Sequence, residues 1–176
     1  MRAVCVCFFL CLAAAAFGED GGSVVKNGGF EQGLDGWLGK REGVAIAQDF
    51  RYSDAAGLRL LGNPTGRVGQ VQYLPAMKPN TAYRVRYAVK TKDIVPNKEM
   101  PEYKWGTCGA YVNVWAGKGK NLWFPARSLE GTMRWTVLGF DFESGEKADV
   151  TFYIRIEVRG TTGTAWFDDV VIEEAR

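Results

Sequence analysis

Apolar and polar positions alternate with a period of two along most of this chain. Tyr83, Val85, Tyr87 and Val89 alternate with Arg84, Arg86, Ala88 and Lys90. Ala110, Val112 and Val114 alternate with Tyr111, Asn113 and Trp115, and Phe152, Ile154, Ile156 and Val158 with Tyr153, Arg155 and Glu157. Successive side chains of a strand point to opposite faces, so each segment reads as a strand with one face on a core. The same reading predicts strands at 44–47, 58–61, 68–74, 136–142 and 165–172. Turn residues separate them at Asn27-Gly28-Gly29, Gly62-Asn63-Pro64, Lys78-Pro79-Asn80, Gly117-Lys118-Gly119 and Gly160 to Gly163. No helical stripe of comparable length is present. About eight short strands punctuated by turns predict an all-β fold, a β-sandwich jelly roll of two antiparallel sheets. Trp37, Trp135 and Trp166, with Phe140, Phe142, Phe152 and Phe167, are assigned to its core. Two connections exceed a turn: 91–105, with Tyr103 and Trp105, and 117–135, with Trp123 and Phe124. Long aromatic connections of this kind more often line binding sites than merely join strands.

The first segment departs from this pattern. Arg2 precedes an unbroken apolar run from Val4 to Ala16, closed by Ala16-Phe17-Gly18. That is the arrangement of a secretory signal peptide, 1–18, ahead of a single domain, 19–176, in a secreted or periplasmic protein. The run is shorter than the about 20 residues a membrane-spanning helix needs, and no second such run follows, so no membrane span is expected. Removing it takes Cys5, Cys7 and Cys11 and leaves Cys108 without a disulfide partner. Cys108 reads as a small half-buried hydrophobe rather than a nucleophile.

Composition narrows the chemistry. The 176 residues include no His, which excludes Ser-His-Asp and Cys-His nucleophile systems and His-based zinc sites. Net charge is +2 with both signs interspersed, so no nucleic-acid partner is indicated.

Three ordered motifs span the domain: KNGGFEQGLDGW from Lys26, MKPNTAYRVRYAVKT from Met77 and GTAWFDDVVIEEAR from Gly163. Together they resemble secreted carbohydrate-binding modules of the family 4, 9, 16 and 22 type, which share a galactose-binding domain-like jelly roll. The resemblance implies a structural calcium ion pinning the first and last strands together. Glu31 and Asp168 would supply carboxylate oxygens, and carbonyls of the 52–57 turn would complete the oxygen shell that calcium prefers. Asp169 is the adjacent alternative to Asp168, since strand alternation sends it to the opposite face. The alternative is a pair of carboxylates that simply hydrogen-bond at a turn or edge.

If strands 83–90, 109–116 and 151–158 share a sheet, their outward residues converge into one face. Sugar rings stack an apolar C–H face on aromatic rings and present hydroxyls to bidentate polar groups. Tyr111 and Trp115 would be the platforms, assisted by Trp105 or Trp123, with Tyr153 beside them, and Arg86, Asn113, Arg155 and Glu157 would read hydroxyls. The plainer reading is a solvated sheet face carrying cross-strand ion pairs. Glycoside hydrolysis needs two flanking carboxylates, and the outward faces offer Glu157 without a clear second. The expectation is therefore a non-catalytic binder of a polysaccharide or oligosaccharide. A structural or protein-interaction jelly roll is the alternative, followed by a small glycoside hydrolase or polysaccharide lyase.

Overall fold

The computed structural model of the chain describes residues 22–117, 122–125, 128–146 and 150–175; the expected signal peptide, 1–18, lies outside the described residues. Nine strands run through the described residues: β1 Val44–Ala47, β2 Gly57–Leu61, β3 Arg67–Tyr73, β4 Ala82–Ile94, β5 Gly109–Gly117, β6 Leu122–Pro125, β7 Gly131–Glu143, β8 Thr151–Arg159 and β9 Thr164–Glu174. One 3-10 turn, Pro101–Trp105, joins β4 to β5. Every strand expected from alternation is present. The segment 117–135 is not a plain connection, because it contains β6 and the start of β7. Its dense Gly, Lys and Arg positions hide the short apolar run Leu122-Trp123-Phe124 from a period-two reading. Among the described residues no helix is long and apolar enough to cross a membrane.

The strands form a jelly-roll sandwich of two antiparallel sheets, ordered β1-β2-β9-β4-β7 and β3-β8-β5-β6. This corrects the expected grouping of 83–90 with 109–116 and 151–158. β4 lies between β9 and β7, whereas β5 and β8 are neighbours in the other sheet. Alternation fixes which residues of one strand share a face; which strands pair is decided by non-local burial.

The core lies between the sheets. Val85, Tyr87 and Val89 of β4 and Phe167 and Ile172 of β9 meet Val112 and Val114 of β5 and Ile154 and Ile156 of β8. Each large apolar side chain so buried contributes about 1.5–3 kcal/mol. Two of the expected core aromatics lie elsewhere. Trp166 is buried, but its register partners are Lys90 and Arg59 on the outer side of the five-stranded sheet. Phe50 covers it there at 5.3 Å between ring centroids. Trp135 is half-buried against Tyr52 at 5.9 Å, beside a register shift between β4 and β7 that breaks the alternation.

The first motif acts as a clasp. The carbonyl of Asn27 accepts from Trp37 Nε1 at 3.1 Å, and the Phe30 and Trp37 rings lie 5.3 Å apart. A Cβ on Gly28 would meet the Val170 carbonyl at 2.0 Å, so only glycine lets this segment lie on β9, where Val170 N–H donates to Gly28 O at 3.1 Å. Buried Gln72 of β3 holds the same segment from the other sheet. Its amide donates to Lys26 O and accepts from Lys26 N–H, both at 2.8 Å.

Candidate functional site

Alternation on β5, β8 and β3 turns three sets away from the core: Tyr111, Asn113 and Trp115; Tyr153, Arg155 and Glu157; and Gly69, Val71 and Tyr73. Register aligns them into rows across the sheet, Trp115–Tyr153–Tyr73, Asn113–Arg155–Val71 and Tyr111–Glu157–Gly69. The first row is aromatic throughout. The Trp115 and Tyr153 rings are nearly parallel, 6° apart with centroids at 6.2 Å, and Tyr73 meets Tyr153 edge-on at 5.9 Å. Tyr73 is the solvated end of the row, 61% exposed. By backbone register Trp123 of β6 stands opposite Trp115; its side chain lies outside the described residues. The guanidinium of Arg155 sits over both inner rings, 5.6 Å from Trp115 and 5.7 Å from Tyr153.

The lower rows are buried and polar. Glu157 is 1% exposed, accepts the Tyr111 hydroxyl and lies 3.6 Å from Arg155 Nε. A buried carboxylate is tolerated only when so partnered. Burial, then the neighbouring Glu157 carboxylate, raises the Tyr111 pKa well above the usual tyrosine value. Arg159 continues the network by pairing with Glu102 at 2.5 Å, which ties the 3-10 turn to the end of β8. Asn113 is buried as well, and its Oδ1 has no hydrogen-bond partner among the described residues.

Gly69 shapes the adjoining cleft. A Cβ there would lie 2.4 Å from the Ile156 carbonyl and 2.7 Å from Glu157 Cβ, so the β3 end of the lowest row carries no side chain. Residues 38–43 form one wall. Leu38 exchanges two backbone hydrogen bonds with Val71, each 2.7 Å, and Gln70 Nε2 donates to Lys40 O at 3.0 Å. The resulting cleft has a volume of about 710 Å³ and is lined by Lys40, Glu42, Arg67, Val71, Arg155 and Glu157 among others.

Six of the expected ligand-binding residues, Tyr111, Asn113, Trp115, Tyr153, Arg155 and Glu157, therefore share one face. Tyr111 is not a stacking platform: at 2% exposed it serves as the hydrogen-bond donor to Glu157. Arg86 does not join them. It lies on β4 in the other sheet, paired with Glu173 at 2.7 Å. Trp105, 74% exposed, ends the 3-10 turn tethered near Gly109, at the far end of β5 from Trp115. Tyr73, Arg67, Gly69 and Lys40 escaped the sequence reading. The alternation of β3 contained the signal for Tyr73, but only the pairing of β3 with β8 assigns it to this face.

The expected metal residues also converge. A Cβ on Gly29 would lie 3.8 Å from Asp169 Oδ1, 3.9 Å from Asp168 Oδ1 and 3.9 Å from Glu31 Cγ. Asp169 is not sent to the opposite face as simple alternation predicts. It adopts φ 47° at a bulge where β9 gains one residue against β4, so Asp168 and Asp169 reach the same turn. Ser53 shows this directly: its N–H donates to Asp168 Oδ2 at 3.1 Å and its hydroxyl to Asp169 Oδ1 at 2.7 Å. Tyr52 N–H also donates to Asp168 at 2.8 Å, and Ala55 and Ala56 N–H donate to Glu31 Oε1 at 3.0 and 2.9 Å. The turn thus presents N–H groups to these carboxylates, where carbonyl ligands had been expected. Among the described residues no three acidic side chains meet in ligating geometry. Burial raises the Asp168 pKa to about 7, and burial with the nearby Asp54 and Glu31 charges raises that of Asp169.

Solved structures share this fold. A family 16 carbohydrate-binding module superposes with a TM-score of 0.63 at 20% identity, covering 85% of this chain and 98% of its own. A family 22 xylan-binding domain from Paenibacillus barcinonensis gives 0.61 at 11% identity, covering 84% and 98%. A family 61 module solved with β-1,4-galactotriose gives 0.57 at 13% identity, covering 87% and 99%. At these identities the likeness shows the fold, which is the jelly roll to which the three motifs point. No protein family and no curated protein matches the sequence.

Proposed function

We propose that this chain is a secreted, non-catalytic glycan-binding module that holds a polysaccharide or oligosaccharide along the outward face of the β3-β8-β5-β6 sheet. The supporting observation is the Trp115–Tyr153–Tyr73 row beside Arg155. Parallel rings with an exposed tyrosine at one end offer C–H stacking, and the guanidinium beside them offers hydroxyl donors. Two structural neighbours, a xylan-binding domain and a module solved with galactotriose, support a sugar as the ligand class. Glu157 is committed to Tyr111 and Arg155, which favours a positioning role over proton transfer.

Calcium belongs to the same proposal. Glu31, Asp168 and Asp169 carry hard oxygen donors around one turn, and like-charged Asp54 adds to the negative potential that a cation would offset. When bound, the ion would supply charge neutralisation and closure between the N-terminal segment, the 52–57 turn and β9. It has no part in ligand contact.

Affinity electrophoresis through gels containing xylan, β-glucan, mannan, pectin or alginate tests the proposal. Retardation by at least one polysaccharide, weakened in Tyr73→Ala and abolished in Trp115→Ala, is expected, with circular dichroism establishing that both variants fold. Uniform mobility of the folded protein in every gel would overturn it.

A further inference from the structure

The outer face of the five-stranded sheet carries both paired and unpaired cations, Arg59 and Arg134 having no carboxylate within 4.0 Å among the described residues. On the five-stranded sheet Arg84 pairs with Asp141 through two contacts of 2.8 Å, Arg86 with Glu173 at 2.7 Å, and nearby Lys78 with Glu174 at 2.5 Å. In the cleft beside β3, Lys40 and Arg67 have no carboxylate within 4.0 Å among the described residues. Arg155 lines the same cleft with 18% of its side chain exposed. Its Nε contact to Glu157, at 3.6 Å, is too long for a strong hydrogen bond, and its terminal nitrogens donate to no described residue. Against these three cations the cleft presents Glu42 and the already engaged Glu157.

We infer that the glycan bound here is anionic, its carboxylate or sulfate groups seated on Lys40, Arg67 and Arg155 in the Gly69-floored cleft; the inference rests on the glycan-binding reading above. A neutral sugar satisfies hydroxyl-reading groups but leaves the Arg67 guanidinium and the Lys40 ammonium without a counter-charge, and the terminal nitrogens of Arg155 without an acceptor. An oxyanion takes them in charge-assisted, often bidentate, hydrogen bonds. The spacing selects a polymer over a small free anion. Arg67 is four residues along β3 from Val71, the register partner of Arg155, so the two arginines are staggered by about 13 Å at 3.3 Å per residue. Charges repeated along a chain span that stagger, whereas one inorganic anion does not. The missing side chain at Gly69 lets such a chain pass between them, and the aromatic row then stacks the adjoining sugars.

Calorimetric titration tests this with oligogalacturonate as the carboxylate probe, chondroitin sulfate oligosaccharides as the sulfate-bearing probe, and xylo- and gluco-oligosaccharides as neutral probes. Binding to an anionic probe is expected, weakening steeply with added salt. Arg67→Gln and Lys40→Gln should each lower affinity by about tenfold, equivalent to about 1.4 kcal/mol. Arg134→Gln on β7 of the opposite sheet should leave it unchanged. A carboxylate-only or sulfate-only response identifies the source of the charge. Binding of neutral probes alone would overturn this inference and leave the glycan-binding reading standing; binding of none would overturn this inference, and together with uniform mobility in every gel would overturn both. Equal loss in Arg134→Gln and Arg67→Gln would mean attraction by overall charge and would overturn the cleft assignment.

Discussion

Tyr111 illustrates how one residue changes meaning between sequence and fold. An outward tyrosine on a sheet reads as a stacking surface, yet its ring is buried and its hydroxyl is the donor that makes Glu157 tolerable in the interior. Tyr111→Phe removes the donor and leaves a buried carboxylate facing Arg155 at 3.6 Å and the charge of Arg159, with no hydrogen bond of normal length to either. Stability should fall by about 1–3 kcal/mol, the desolvation cost of an unpaired buried polar group. Chemical denaturation with an unchanged m-value would register this, and a loss below about 0.5 kcal/mol would show that Glu157 is satisfied without Tyr111. Tyr73 makes the opposite transition. It looks like a strand-end residue in the sequence and becomes the exposed edge of the aromatic row once β3 is paired.

At the scale of elements, β3 decides the shape of the site. Its inward residues are the polar Gln70 and Gln72, which serve the flanking segments through Lys40 and Lys26, and its outward residues floor the cleft. Gly69→Ala is the informative change. The added methyl would sit 2.4 Å from a backbone carbonyl of β8, which cannot move away as a flexible side chain would. β3 must shift from β8, costing about 1–3 kcal/mol, comparable to overpacking a core. Glycan affinity of the folded fraction should fall as well, because the methyl fills the passage beside Glu157. Thermal unfolding together with titration of the folded variant separates the two effects; unchanged affinity would place the ligand away from the cleft floor. β9 shows a second element-level device. Its bulge at Asp169 turns two consecutive carboxylates toward one turn, an arrangement that regular alternation forbids.

Over the whole molecule, the ends of the domain are brought together. Val24 N–H donates to Ile172 O at 2.8 Å and Val170 N–H to Gly28 O at 3.1 Å, so the segment entering the domain lies on its last strand. Glu31, the 52–57 turn and Asp168 meet at this closure. Cys108 is buried and free among the described residues, and a cation here would stabilise the folded state by mass action. Calcium at about 100 times its Kd contributes about 2.7 kcal/mol, which for a chain of this size corresponds to roughly 5–11 °C in Tm. EDTA-treated protein should gain that increment on adding calcium, and Asp168→Asn should abolish the gain. A calcium-independent Tm in the unsubstituted protein would remove the ion from the proposal.

The sequence by itself determined the class of the fold, eight of the nine strands and, away from the bulges, most of the residues that meet the core. These follow from local chemistry, since period-two alternation and glycine-containing turns are properties of short segments. Trp115, Tyr153, Arg155 and Glu157 were legible as a site for that reason: each is the polar or aromatic half of its own alternating run, and β5 and β8 pair directly. The tertiary structure alone decided which strands are neighbours. That choice moved Arg86 to the opposite sheet, brought Tyr73 and Gly69 into the site, and buried Tyr111. Strand pairing depends on contacts between residues far apart in the chain, and a β4 with alternating faces buries its apolar side equally well in either sheet. Only the simultaneous packing of all the strands distinguishes the two, and with that choice came the cleft and its cations.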